Sequence, residues 1–339
     1  LLAYFETTFE RYESLFGCLQ CEEAYFEKSI SLRHPLIFYF GHTATFFVNK
    51  LLLVKLIPQR INPRFEAIFA VGVDEMSWDD LDETHYDWPT VAEVKAYRQQ
   101  VKEAVTRVIN NAAWQGTMGW DNPWWAILMG IEHELIHLET SSVLIRQHRL
   151  DYVQPQADWA PAEIVAVSQA SAPQNELIDV PTGEVKLGKG SPHLDACSVD
   201  VEARCYGWDN EYGAYIAGVP TFKAAKMLVS NAEFLAFVEA GGYAADRYWN
   251  EEALAWRHFA QAAHPSFWIQ QSGTWYLRLM TEVVPMPWDW PVEVNCHEAA
   301  AFCVWKAEVT GEQVRLPSED EWYRLYDLTG ITAQTPAQH

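Results

Sequence analysis

Residues 35–57 form an apolar stretch long enough to cross a bilayer, and the residues that interrupt it limit what the chain can become. His42, Asn49, Lys50 and Lys55 lie within it, and such groups are costly in hydrocarbon. The stretch is therefore expected as a helix buried in a protein core, with Pro35 suited to its start. A helix apolar on most sides needs neighbours on most sides. Residues 1–16 and 22–31 carry apolar residues at helical spacing. Thr90-Val91-Ala92-Glu93 resembles a capping box opening a helix to about residue 110, and residues 122–149 form a last helix with Pro123 in its first turn. Four long helices joined by loops imply a bundle, a scaffold that builds metal sites from inward-facing side chains on different helices.

A length of 339 residues suits two domains. The expected division is a helical bundle over 1–150, a linker over 151–175 marked by Pro155, Pro161 and Pro173, and a second domain over 176–339. The second domain has short β-like runs, many Gly and aromatic residues, and helical segments at 231–240 and 297–306, which together indicate an α+β fold with irregular loops. A net charge of −22 argues against nucleic acid or an anionic membrane as partner. Cys18, Cys21, Cys197, Cys205, Cys296 and Cys303 form no dense framework, which fits free thiols in a reducing, cytoplasmic setting. The Cys18-x-x-Cys21 pair is expected as two small apolar residues on an early helix. The chain starts at Leu1 and not at a methionine, so it is expected to be part of something longer.

The most chemical run is His133-Glu134-Leu135-Ile136-His137-Leu138-Glu139. Histidines four apart share one helix face, the geometry a divalent transition metal needs. The run also spells H-E-x-x-H, in which Glu134 would be the general base of a zinc protease. That reading lacks its third ligand: no H-x-x-G-x-x-H follows, and the nearest downstream Glu, Glu163, sits in the linker. A third ligand from another bundle helix is available in His42, a polar residue in an apolar helix that needs a partner if buried. Three imidazoles leave open positions for substrates and O2, which favours redox iron over a closed structural zinc. Glu139 is placed to orient one of the ligands by hydrogen bonding or to form a surface pair.

Gly41-His42-Thr43 together with His133-x3-His137-x-Glu139 resembles the non-haem iron sulfoxide synthases of thiohistidine biosynthesis. That resemblance implies a DinB-like four-helix bundle followed by a formylglycine-generating-enzyme-like (C-type-lectin-like) α+β domain. The second half carries further likeness in Val180-Pro181-Thr182-Gly183, Leu187-Gly188, Tyr206-Gly207-Trp208-Asp209-Asn210-Glu211, Val229-Ser230-Asn231-Ala232-Glu233-Phe234, Gly241-Gly242-Tyr243, Pro291-Val292-Glu293-Val294 and Arg315-Leu316-Pro317-Ser318-Glu319-Asp320-Glu321-Trp322. It implies Fe(II) held by His42, His133 and His137, with cysteine, histidine and O2 as substrates. Residues 70–80 resemble the ovothiol branch, the 5-histidylcysteine sulfoxide synthases. Tyr86-Asp87-Trp88-Pro89-Thr90 lacks the arginine with which the ergothioneine branch holds γ-glutamylcysteine, and Asp87 would repel that substrate's carboxylate. The family's catalytic tyrosine and further substrate contacts belong to a closing segment after Trp322 that this chain lacks, so the second domain is expected to be incomplete. The alternatives are an ergothioneine-type synthase using hercynine, a zinc or nickel thiol transferase or hydrolase of the DinB type, and a binding module without catalysis.

Overall fold

The structure is a computed structural model that describes residues 1–70, 86–111, 122–160, 168–189 and 206–330. Residues 71–80, Glu163, Cys197 and Cys205 lie outside the described residues. The chain forms two compact units. The first comprises Leu1–Pro161 with Lys189–Tyr212 and Met280–Glu282, and the second comprises Ala162–Gly188, Gly213–Leu279 and Val283–His339.

The first unit is built on four long helices: α1 (Leu2–Leu15), α3 (Leu36–Leu53), α5 (Val91–Asn110) and α6 (Trp125–Gln147). Two shorter ones, α2 (Glu23–Phe26) and α4 (Pro63–Ile68), lie between them in the chain. α3 packs against α6 and α5, and α1 closes the ring by packing against the same two helices. α3 is the apolar stretch, and every residue from Leu36 to Thr45 is buried, so it serves as the core helix of the bundle. It is also the one helix among the described residues long and apolar enough to cross a membrane. α5 begins with the expected box, in which Thr90 Oγ1 accepts from the Glu93 amide and Glu93 accepts from the Thr90 amide. α4 was not anticipated, although Asn62 caps it by accepting from the Phe65 amide and Pro63 fills its first turn.

Two glycines let aromatic rings reach the helix backbones. A Cβ on Gly41 would lie 2.5 Å from the Phe69 ring, and one on Gly130 would lie 2.3 Å from the Phe47 ring. Residues 151–160, expected as the start of a linker, are strapped to the bundle. The Gln154 amide donates to the Cys18 carbonyl at 2.8 Å, and Trp159 Nε1 donates to Ser14 Oγ at 3.0 Å. Cys18 ends a 3-10 turn and Cys21 follows it in a loop, so the pair does not ride on a helix; both are free, with Cys18 buried.

Among the described residues the second unit has three small antiparallel sheets. β1 (Leu177–Val180) pairs with β4 (Phe222–Ala225), and β2 (Gly183–Leu187) pairs with β3 (Tyr215–Val219). β5 (Trp268–Gln271), β6 (Thr274–Arg278) and β7 (Val283–Pro285) form the third in that order. The expected helices appear as α7 (Asn231–Glu239) and α9 (Cys296–Thr310). α8 (Glu251–Ala260) and α10 (Glu319–Leu328) were not anticipated. An aromatic core of Phe234, Phe237, Trp268, Phe302 and Trp305 joins α7, α9 and the third sheet. The Val180–Gly183 motif meets α10 where Arg324 donates to the Pro181 and Thr182 carbonyls just before β2.

Candidate metal centre

The bundle brings His42 from α3 together with His133 and His137 from α6. One ligand nitrogen from each lies within 4.8 Å of the others. The tightest pair is His42 Nε2 to His133 Nε2 at 3.2 Å. Two imidazole nitrogens sharing an ion at about 2.1 Å lie roughly 3.0 Å apart at a right angle and roughly 3.4 Å apart at the tetrahedral angle. The observed pair falls between these values.

The tautomer of His42 is set by its surroundings. Its Nδ1 lies 2.6 Å from the Phe69 carbonyl, an acceptor only, so Nδ1 carries the hydrogen and Nε2 turns a lone pair toward the other two rings. Phe69 reaches this position because Asn62 starts α4 where it does and because Gly41 has no side chain to block its ring. Phe38 stacks on His42 at 5.1 Å, and Phe46 lies flat on His133 at 3.7 Å between centroids. These walls fix the ring planes.

The site disfavours protons. Burial pushes the His133 imidazole far below its ordinary range, and the neighbouring His137, His42 and Lys50 add to the effect. His137 is pushed down to about 3 by burial and by the nearby His42 and Arg33. Among the described residues, Nδ1 of His133 and of His137 are buried with no hydrogen-bond partner. At His133 the Nε2 atom faces His42, which leaves Nδ1 as the nitrogen turned away from the other ring. Three neutral imidazoles in mutual contact, one of them held with its Nε2 lone pair toward the others, fit a divalent transition metal.

The two carboxylates of the run behave differently. Glu134 is fully buried and turned into the core, where Arg98 Nη2 donates to it at 2.9 Å and Thr43 Oγ1 at 3.1 Å. Burial pushes its pKa up against the pull of Arg98, and it does not face the imidazoles as a protease base would. Glu139 lies two residues beyond His137, about 200° further round the helix. It is exposed, and its carboxylate holds no imidazole nitrogen among the described residues. The orienting role expected of Glu139 is filled at His42 by the Phe69 carbonyl. Sequence reasoning missed Phe69, Phe46 and Arg98. Of these, Arg98 left a readable trace, since Val91, Val94, Arg98, Val101 and Val105 follow a heptad seam with a charge at one core position.

Residues 4–141 match the DinB superfamily, and residues 163–324 match the sulfatase-modifying factor enzyme 1-like domain. The hercynine oxygenase of Mycolicibacterium thermoresistibile is 36% identical over 125 residues, 37% of this chain and 26% of that protein. Over that part of its length the chain is similar to a hercynine oxygenase. A second hercynine oxygenase, from Mycolicibacterium smegmatis, is 30% identical over 210 residues, covering 61% of this chain and 42% of the relative. The ergothioneine biosynthesis protein 1 of Neurospora crassa is 26% identical over 225 residues, 64% of this chain and 25% of the relative. The chain therefore matches between 25% and 42% of the length of these relatives. The DinB-like and sulfatase-modifying-factor-like order along the chain is the one the sequence motifs imply.

Proposed function

We propose that the chain carries the iron centre of an O2-dependent sulfoxide synthase, with His42, His133 and His137 as ligands to Fe(II). The reaction joins the sulfur of cysteine to an imidazole carbon of a histidine-type substrate and oxygenates that sulfur. The balance is one C–H and one S–H lost, one C–S bond made, one oxygen atom of O2 kept on sulfur and the other leaving as water. The observation that carries the reading is the contact of three neutral imidazoles from two helices, with His42 locked in its ligating tautomer by Phe69. Bound there, Fe(II) supplies an open coordination sphere and electrons for O2, and it lowers the pKa of a thiol that binds it.

The chain's own residues set the conditions for that chemistry. Phe38 and Phe46 wall the rings and exclude water from one side of the triad. The low proton affinity of His133 and His137 keeps them free to ligate at neutral pH. Glu134, bound to Arg98, takes no part in proton transfer.

Two identities for the imidazole substrate remain open to a direct test. The likeness of residues 70–80 to the ovothiol branch supports free histidine, giving 5-histidylcysteine sulfoxide. The names of the relatives support hercynine. Asp87, expected to repel the extra carboxylate of γ-glutamylcysteine, is exposed and accepts from Arg64 Nη2 at 2.7 Å, which offsets part of its charge. The experiment is anaerobic loading with Fe(II), followed by O2 uptake with cysteine and either histidine or hercynine. Uptake that needs both the thiol and one imidazole substrate, with a sulfoxide product by mass, supports the synthase, and the productive partner names the branch. Tight zinc or nickel with no thiol-dependent O2 uptake would support a DinB-type transferase or hydrolase instead.

A further inference from the structure

The fully buried Arg98 of α5 donates four hydrogen bonds behind the triad. Nε bonds Glu13 Oε1 at 2.9 Å, Nη1 bonds the Phe40 carbonyl at 2.9 Å and Thr43 Oγ1 at 2.8 Å, and Nη2 bonds Glu134 Oε1 at 2.9 Å. Its guanidinium also lies over the Phe9 ring, 4.2 Å from the centroid. The acceptors bracket the imidazoles in sequence. Phe40 and Thr43 flank His42 on α3, and Glu134 follows His133 on α6. Thr43 Oγ1 donates directly to the same Glu134 oxygen, so α3 and α6 are joined across the core at this level.

Apolar packing alone does not fix how α3 sits. Residues 36–45 are buried on all sides, so no exposed polar face sets the helix rotation there, and the apolar contact that seats α3 on α6, Phe47 over Gly130, lies more than a turn away from His42. One helical turn of slip is about 5.4 Å, which exceeds the whole 4.8 Å spread of the ligand nitrogens. A planar donor meeting four acceptors on three helices has one geometry. Buried ionic groups are attested as devices that set register, even where they add nothing to stability.

We propose that Arg98, through Glu134 and Thr43, is a positioning residue that sets the register of α3 against α6 and so assembles the His42–His133–His137 site. The inference rests on the reading of those histidines as metal ligands. In this role Glu134, the acid of H-E-x-x-H, is the anion that receives the clamp.

The test is Co(II) titration of the full chain, read by visible absorption and chelator competition, with unfolding temperature measured beside it. In Arg98→Lys the charge opposite Glu134 remains, but one ammonium cannot span three helices; Co(II) affinity is expected to fall at least tenfold. In the double variant Arg98→Met, Glu134→Leu an apolar pair of similar volume replaces the ion pair; the unfolding temperature is expected to hold while affinity falls by a similar factor and the cobalt spectrum broadens. Wild-type affinity in either folded variant would overturn the inference. Failure of the double variant to fold would overturn it too, since it would show that the pair maintains the fold and not the register. The separate arm is wild type against His133→Ala: equal, weak cobalt binding by both would remove the metal reading itself.

Discussion

Gly41→Ala separates the support of His42 from the stability of the bundle. The new Cβ would lie 2.5, 2.5 and 2.6 Å from three Phe69 ring carbons, whereas carbon contacts settle near about 3.5–4.0 Å. Phe69 is fully buried against Phe65 and Trp88, so the ring must retreat by about 1 Å and draw its backbone with it. Overpacking of this kind costs about 1–3 kcal/mol, while alanine gains back about 1 kcal/mol in a helix. The net loss is then about 0–2 kcal/mol, a fall in unfolding temperature of no more than about 8 °C. The same retreat stretches the 2.6 Å bond from His42 Nδ1 to the Phe69 carbonyl beyond the hydrogen-bond limit of about 3.2 Å. Losing the group that orients a metal-bound histidine costs about 10–100-fold in affinity. Gly130→Ala is the matched comparison, because its Cβ would press on Phe47 at 2.3 Å, a ring that holds no imidazole by a hydrogen bond. Calorimetry should show similar destabilisation in the two variants, and Fe(II) or Co(II) titration should show the affinity loss in Gly41→Ala alone. Equal losses of affinity in both, or none in Gly41→Ala, would refute the claim that Phe69 sets the ligating tautomer.

Two further tests concern charge at the site. With metal removed, His137 has its pKa pushed down to about 3 and His133 lower still, while unfolded imidazoles titrate near about 6.5. Both native groups stay neutral as pH falls from 6.5 toward 3 while the unfolded chain takes up protons. Stability is therefore full above about 6.5 and declines below it by about 1.4 kcal/mol per pH unit for each imidazole. Urea unfolding of the metal-free protein at pH 7.5 and pH 5 should differ by about 3–4 kcal/mol from these two groups, and His133→Ala should remove close to half of the difference; a flat profile is the contrary result. Glu139→Ala should leave metal affinity and unfolding temperature as in the wild type. A loss of roughly tenfold would restore to Glu139 the orienting role its sequence position suggests.

The parts of this molecule legible in the sequence are those written in local pattern. α3 was readable because an apolar run broken by His42 and Lys50 cannot settle in lipid, and α5 because Thr90 and Glu93 form a box of fixed spacing. The two imidazoles of α6 were readable because four residues of helix place side chains on one face. α8 and α10 were missed even though Asn250 accepts from the Ala253 amide and Ser318 forms a box with Glu321, because short helices among turns carry too few apolar repeats to stand out. The orienting partner of His42 could not be read at all, since it is the Phe69 backbone carbonyl, a group every residue possesses.

Glu139 and Glu134 exchange importance for the same reason. Sequence spacing put Glu139 near the histidines, but helix rotation turns it to solvent. Glu134, adjacent to His133 in the chain, is turned the other way into a core that only a buried arginine makes tolerable for a carboxylate. The sign that such an arginine exists is Arg98 at a heptad core position between Val94 and Val101. An unpaired charge there would cost several kcal/mol, so a folded chain with Arg98 in that seam requires a carboxylate facing it from another helix. Glu134 is the acid that α6 supplies, and the pairing places His133 and His137 on the side of α6 that meets His42. A buried charge in one helix thus predicts which face of a second helix is left to carry the imidazoles.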